Sequence, residues 1–468
     1  MCISVKKHLY KTHLIRLSLM SLPKDPDKKE YKKITNASGE SGTKPVQIKA
    51  KIPWLAVFAL AMGMLVYGVA ESYGPVFAIT SIIPQKYYYL SLSAGFIAGG
   101  FGALLAGYMT DYLGRRKAFL ITAAMIVIGI AIYLAAPSNA AAIIISFILV
   151  GMAAIGAETP ILAAISESVP AKYRGNLLVV VQNFGNIGVA LVFIPALLGA
   201  SSVQDEVAYA LLLLAPLIAL IIGFFSVKES VPWEATEKKT PESVQEAWQK
   251  VDQENVEHVK PTMGVPLRWL LITLIGIVQD VAFVWITYDI GYLYFTEYSS
   301  LIPVIGGFAM AILGILFGVF AHRISRKNAA LLAYGSQFIL WVLLWAYVAA
   351  TGATTGLLLL ALIAIQFFGV ELTWGVRAML EPEVFPTISR GRWVSLARTF
   401  VWIIAGIITM LLSIYFYPLS SAQFMPFFNY SSAAITVVFI VGLISAIYWY
   451  YKGFETGGRS LAGHDVKA

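Results

Sequence analysis

Gly107-Tyr108-Met109-Thr110-Asp111-Tyr112-Leu113-Gly114-Arg115-Arg116-Lys117 is the stretch from which the rest of the chain can be read. It places a glycine, an acid four residues on, a second glycine and a basic cluster between two long apolar runs. A version of it returns as Gly318-Val319-Phe320-Ala321-His322-Arg323-Ile324-Ser325-Arg326-Lys327, again between apolar runs. Another pattern also occurs twice with identical spacing, as Glu167-x-x-Pro170-x-x-x-Arg174-Gly175 and Glu383-x-x-Pro386-x-x-x-Arg390-Gly391. Two patterns that recur in the same order argue for a duplicated unit.

The flanking runs decide what that unit is made of. Of the 468 residues, 58% are apolar and 13% charged, where soluble domains carry about 25% charged. Stretches such as 141–157, 177–198 and 433–450 approach or exceed the roughly 18–20 residues that cross a bilayer as a helix, and they are apolar nearly all round. Twelve spans follow, the first near 53–77 and the last near 430–452. The fold class predicted is an all-α membrane protein with twelve transmembrane helices in two pseudo-symmetric six-helix bundles. The loops after spans 2, 4, 8 and 10 carry Arg115-Arg116-Lys117, Lys172 and Arg174, Arg323, Arg326 and Lys327, and Arg390 and Arg392, while the alternate loops carry almost no basic residue. Basic short loops stay cytoplasmic, so both termini are predicted in the cytoplasm of a multi-pass cell-membrane protein.

Organisation follows from the one long interior polar stretch. Residues 1–50 read as a disordered basic tail, 51–227 as the first bundle, 228–265 as a cytoplasmic linker, 266–453 as the second bundle and 454–468 as a tail. Within the linker, Thr240-Pro241 is an N-cap and first-turn pair. Val244, Ala247, Trp248 and Val251 then recur at helical spacing, predicting a surface helix with one apolar stripe.

Several functions are excluded. Cys2 is the single cysteine, so neither a disulfide nor a cysteine zinc site can form. The net charge of +8 is explained by the loops and tails, not by a nucleic-acid surface. No nucleophile–base pair, metal cluster or phosphate loop is present, and the histidines are scattered, so no enzyme and no cofactor are expected. The expected partners are a small solute, a proton and the lipid bilayer, with no nucleic acid, and the chain is expected to work as a monomer.

The repeated motifs have a local physical meaning. Gly107 lets a neighbouring helix approach, and Gly114 permits a tight turn. Asp111 can accept from a helix N-terminus or an arginine. With Arg115, Arg116, Glu167, Arg174, Glu383 and Arg390, these residues are expected to form a charge network that holds the cytoplasmic side shut and yields when the bundles rock.

These residues also carry a resemblance. The 107–117 stretch is similar to the loop 2–3 motif of the major facilitator superfamily, and 167–175 resembles its sugar-porter and phosphate-symporter branch. Ile155-Gly156-Ala157-Glu158-Thr159-Pro160 resembles the helix 4 run of phosphate:proton and metabolite:proton symporters, Asp280-Val281-Ala282-Phe283 their helix 7, and Val227–Trp233 the run after helix 6. The resemblance covers about 51–453. Departures are equally plain. His322 and Ser325 replace an acid and a glycine, which weakens the second half as a latch. Phe147 stands where sugar porters carry an arginine, Gln279 alone remains of their helix 7 signature, and 400–407 lacks the phosphate symporters' lysine. The family is implied; a particular substrate is not.

Charges inside spans cost at least about 2.5–3.5 kcal/mol on insertion, so such residues usually face a cavity. Glu71, Glu158, Asp280 and Glu371 are the candidates for proton coupling or substrate contact, with Gln182 and Asn183 as candidate donors to a substrate. Glu158 lies about 13 Å of helix rise from Glu167, and Asp280 about 18 Å into its span. Arg377 and Arg398 sit close enough to helix ends to snorkel to the cytoplasmic surface, the alternative being contact with an anionic substrate. Asp289 is expected in solvent near the outer end of its span. A carboxylate behind apolar walls holds a proton more firmly than one in water, and four acids with few bases favour protons over sodium. The expected function is therefore secondary active transport by alternating access, with proton-coupled symport of a small polar metabolite (a sugar, organic acid or phosphate). The alternatives are a proton-antiporting exporter of amphiphilic compounds and a non-transporting membrane sensor.

Overall fold

The computed structural model describes residues 52–79, 88–136, 139–199, 201–237, 241–252, 256–416 and 421–465. The expected tail 1–50 and the predicted cap Thr240 lie outside them.

Apolar runs become helices because a helix satisfies every backbone group internally where no water is available. The first half is α1 (Trp54–Ile79), α2 (Tyr88–Tyr112), α3 (Arg115–Ala135), α4 (Ala140–Ser168), α5 (Ala171–Leu197) and α6 (Ser201–Ser226). Two short helices follow, α7 (Val231–Glu237) and α8 (Pro241–Asp252). The second half is α9 (Val265–Val284) with its extension α10 (Ile290–Leu293), then α11 (Leu301–Phe320), α12 (Arg326–Thr351), α13 (Leu357–Glu383), α14 (Arg390–Phe416) and α15 (Ser421–Lys452). Among the described residues, 11 helices are long and apolar enough to cross a membrane. α6 adds a shorter apolar stretch, Leu213–Ser226, and the fold makes it the twelfth span.

Three local features differ from the expectation. The linker holds two helices, not one; Val244, Ala247 and Trp248 of α8 are buried, as an apolar stripe requires. Between α9 and α10 the chain takes a π-helical turn, Trp285–Asp289, in which Ile290 N–H reaches back to the Trp285 carbonyl. That extra residue per turn rotates Asp289 inward, where it is 2% exposed and accepts a hydrogen bond from Thr409 Oγ1 at 3.2 Å, so it is not in solvent. Residues 456–465, read from the sequence as a tail, are packed in place, with Leu461 and Ala462 fully buried.

Two lateral seams join the halves, α2 against α14 and α5 against α11. Each depends on a motif glycine. A Cβ at Gly107 would stand 2.6 Å from the Gly391 carbonyl, and one at Gly318 would stand 2.7 Å from Val180. The α2–α3, α4–α5, α11–α12 and α13–α14 connections mark one end of the bundle, called here the basic-loop end.

Candidate functional site

At the basic-loop end the duplicated motifs build the same ion pair twice. Arg115 donates through Nε and Nη2 to Glu167, both at 2.8 Å. Arg326 donates through the same atoms to Glu383, both at 3.0 Å. Each arginine spends its third nitrogen on the carbonyl five residues earlier, Thr110 for Arg115 and Ala321 for Arg326, at 2.9 Å in both cases. The fork geometry of guanidinium and carboxylate makes these bidentate pairs strong and directional.

A second acidic residue caps the helix that carries each arginine. Glu229 accepts from Arg115 N–H at 2.8 Å, and Glu455 from Arg326 N–H at 2.9 Å. The hydroxyl next in sequence then donates to the paired glutamate: Ser230 to Glu167, and Thr456 to Glu383 at 2.5 Å. Sequence reasoning quoted Glu229-Ser230 only as part of the Val227–Trp233 run and missed its counterpart, Glu455-Thr456. The signal was their matching place just after the last span of each half. Gly114 has φ +94°, and a Cβ there would meet Glu229 Oε2 at 2.2 Å. Ser325 at the equivalent position has φ −62° and instead caps α12 by accepting from Asn328 N–H.

Contacts between halves are unequal. Glu167 also receives Arg390 from the second half, and Arg115 Nη2 reaches the Thr387 carbonyl at 2.8 Å. Asp111 accepts from Gly391 N–H and Arg392 N–H, both at 2.9 Å, so it caps the N-terminus of α14. The matching seam has His322 against Asn176 at 3.1 Å, a contact without formal charge on the amide. Arg174 does not pair with Glu167; it pairs with Asp252 of α8 at 3.0 Å and donates to the Arg459 carbonyl at 2.9 Å. The Arg116 guanidinium stays out of the ion pairs and bonds the Phe224 carbonyl, while its backbone N–H donates to Glu229 at 3.3 Å. Its neighbour in sequence, Arg115, points inward because α3 turns it there.

The 456–465 segment straps this end. Asp465 accepts from Thr387 N–H at 2.8 Å, Thr387 Oγ1 at 2.7 Å and Trp248 Nε1 at 3.2 Å, and burial raises its pKa. His464 donates from Nε2 to the Glu383 carbonyl at 2.8 Å and accepts at Nδ1 from Arg268 at 3.1 Å. Burial pushes its pKa down to about 3, so it is neutral.

Deeper in the bundle lies a second cluster. Arg398 of α14 donates to Asp280 at 2.8 Å and to Tyr67 Oη at 3.0 Å, and it pairs with Glu158. Arg377 of α13 donates to Glu158 at 3.1 Å and to Glu381 at 3.1 Å. Both arginines are 0% exposed. They do not snorkel, because their carboxylate partners lie inside. Glu158 belongs to the first half and Asp280, Glu381, Arg377 and Arg398 to the second, so the cluster crosses the interface. Three carboxylates face two guanidiniums. Tyr67, Trp374 and Trp402 wall the cluster, with Tyr67 ring centroids 6.1 Å and 6.2 Å from the two indoles. Glu158 and Asp280 are therefore ion-paired, not isolated behind apolar walls. Glu381 was not singled out from sequence because it sits beside Pro382 and Glu383 at what reads as a loop edge.

The remaining candidates lie apart. Gln182 faces the Trp374 indole and carbonyl. Asn183 donates to the Ala311 carbonyl at 2.6 Å, and Asn186 donates to Glu371 at 2.7 Å. Glu71 is 4% exposed in α1, with Oε1 unpartnered, and does not reach an outer surface. Nearby, Ser72 and Tyr288 join the halves at 2.7 Å.

Two helical halves around a shared ionic centre, each carrying the same arginine–glutamate pair at one end and joined there by Arg390 on Glu167, are the architecture of a secondary transporter. The Major Facilitator Superfamily model matches residues 54–409, and the chain belongs to that family. Among curated relatives, it is 26% identical over 395 residues to the glucose transporter GlcP of Staphylococcus epidermidis, covering 77% of this chain and 84% of that protein. Among solved structures it is similar to the proton:xylose symporter XylE bound to 6-bromo-6-deoxy-D-glucose, with TM-score 0.70 at 18% identity over 89% of this chain and 99% of that one. The inward-open conformation of XylE from E. coli gives TM-score 0.59 at 17% identity over 89% and 99%.

Proposed function

We propose that this chain couples uptake of a small polar metabolite to proton entry by alternating access. It works in the cell membrane as a monomer, with the basic-loop end and both termini in the cytoplasm. The observation that carries this reading is Arg398, which is held at once by Glu158 of the first half and Asp280 of the second. A hydroxyl, carboxylate or phosphate oxygen entering between the halves competes for that guanidinium, so binding and the relative position of the halves are linked. Excess carboxylates in the interior supply groups that load and release protons. Both halves of the site come from one chain, so a second copy is not needed. The positive-inside bias supports the orientation, and relatives include a glucose transporter and a proton:xylose symporter.

Proteoliposomes with an imposed inward acid gradient test this directly. D-Glucose, D-xylose, succinate, benzoate and phosphate form the panel. Accumulation of one of them that collapses with a protonophore is the expected result; equal uptake with and without the gradient for every solute would reject proton coupling.

A further inference from the structure

Among the described residues, three carboxylates in the membrane region have no arginine partner: Glu71, Asp289 and Glu371. Their surroundings differ in one decisive way. Glu71 lines a small cavity formed by α1, α2 and α4, all within the first half. Asp289 is bonded to Thr409, within the second half. Glu371, on α13 of the second half, is bonded to Asn186 on α5 of the first, at 2.7 Å.

We infer that the coupling proton is carried by Glu371, in a site it shares with Asn186 and Asn183 at the α5–α11–α13 seam, and not by the arginine-paired Glu158. This rests on the proton-coupled reading above and divides its labour, leaving the solute to the Arg398 cluster.

The hydrogen-bond inventory points to a proton. Asn183 Nδ2 is spent on the Ala311 carbonyl at 2.6 Å, and Asn186 Nδ2 is shared between Asn183 Oδ1 and Glu371 Oε2, both at 2.7 Å. What is left over is two acceptors, Glu371 Oε1 and Asn186 Oδ1, both buried and without a partner. A site with surplus acceptors lacks a donor, and a protonated carboxyl supplies one O–H. Two free oxygens are too few for a metal ion, which takes about six or more in the oxygen cages of hard cations. Among the described residues Glu371 forms no ion pair, and its hydrogen-bond partner is the neutral Asn186 amide. On α11 it faces Gly314, where a Cβ would stand 2.3 Å from Oε1, so the motif-free glycine keeps room for the carboxyl.

The chemistry is a reversible transfer. A proton from water on one side bonds to a Glu371 carboxylate oxygen and cancels its charge; it returns to water on the other side when the seam opens there. Because the partner amide lies in the opposite half, separating the halves changes the stability of the charged form. Glu158 differs in that its charge is already matched by two arginines, Arg377 and Arg398, so gaining a proton there would strand guanidinium charge.

Infrared difference spectra of the reconstituted protein test the site without any solute. Across a titration from mildly acidic to mildly alkaline, the wild type should show one protonated-carboxyl band that comes and goes, and Glu371→Gln should lack it. The glutamine keeps an oxygen for Asn186, and a melting curve checks the fold. Asn186→Ala leaves Glu371 in place without its partner, so its band should titrate at a different midpoint. A band that survives Glu371→Gln, a band lost instead in Glu158→Gln, an unmoved midpoint in Asn186→Ala, or no titrating band in wild type would each overturn the inference. Absence of gradient-driven uptake across the solute panel would instead sink the symport reading, so the two failures are separable.

Discussion

Glu167 lies between two arginines from different halves of the chain, Arg115 from its own half and Arg390 from the other. Its counterpart Glu383 has Arg326 on its own side, but the matching Arg174 is turned away to Asp252. One carboxylate thus joins the halves, while the other serves its own half and the strap.

Neutralising Glu167 should therefore open the basic-loop end. Leaving buried arginines without their counter-charge costs about 3–5 kcal/mol, a shift of more than about a hundredfold in population. Spin labels on cysteines at Lys117 and Ile388, in a background with Cys2 replaced, would report a longer distance in Glu167→Gln. An unchanged distribution would mean that the latch rests on other contacts.

Asp111 caps α14 without touching the central cluster, so it should affect the rate more than the binding. Asp111→Asn loses a charge-assisted bond to two backbone amides, about 1.5–3 kcal/mol. Turnover should fall roughly tenfold or more while the half-saturating solute concentration stays within about twofold. A change confined to affinity would place Asp111 in the binding site.

In the central cluster, single and double substitutions should not add. Glu158→Gln strands part of the charge on Arg377 and Arg398 and should lower stability; so should Arg398→Gln. Together they should lose less than the sum, with a coupling of about 2 kcal/mol. Additive losses in thermal unfolding would show that the two side chains do not interact.

The strap should loosen in acid. His464 has a folded pKa of about 3 against about 6.5 when free. The released segment therefore binds a proton that the docked one does not, and docking weakens as pH falls below about 6.5, by up to about 1.4 kcal/mol per pH unit. Asp465 acts in the opposite sense, since its pKa is raised on docking. The protection factors of the Leu461 and Ala462 amides, referred to the intrinsic exchange rate at each pH, should fall on acidification in wild type and should not in His464→Gln. Equal acid sensitivity in both would assign the effect elsewhere.

How much of this was legible in the sequence depends on what each residue needs for its role. Apolar runs and the duplicated motifs carry their meaning locally, so the helices, Asp111, Arg115, Glu167 and Glu383 could be named from spacing alone. Arg377 and Arg398 could not be placed. A buried arginine near a helix end and a snorkelling one look alike until the partner is known, and here the partner Glu158 is 219 residues away from Arg377. Glu371 was found by its depth, but its link to Asn186 depends on how two halves meet. The strap was missed because a short polar segment has no periodicity to betray that Leu461 and Ala462 are buried.

That same long separation sets the order in which the protein can be made. At roughly 5–20 residues per second, Glu158 is synthesised about ten to forty seconds before Arg377, and Arg398 comes later still. During that interval α4 must reside in the membrane with a glutamate whose counter-charges do not yet exist. Until its partners arrive, Glu158 can hold a proton or keep to a hydrated position. The newborn first half thus carries an unmatched acid within α4, and the ionic centre forms only as α13 and α14 are delivered, among the last spans to enter.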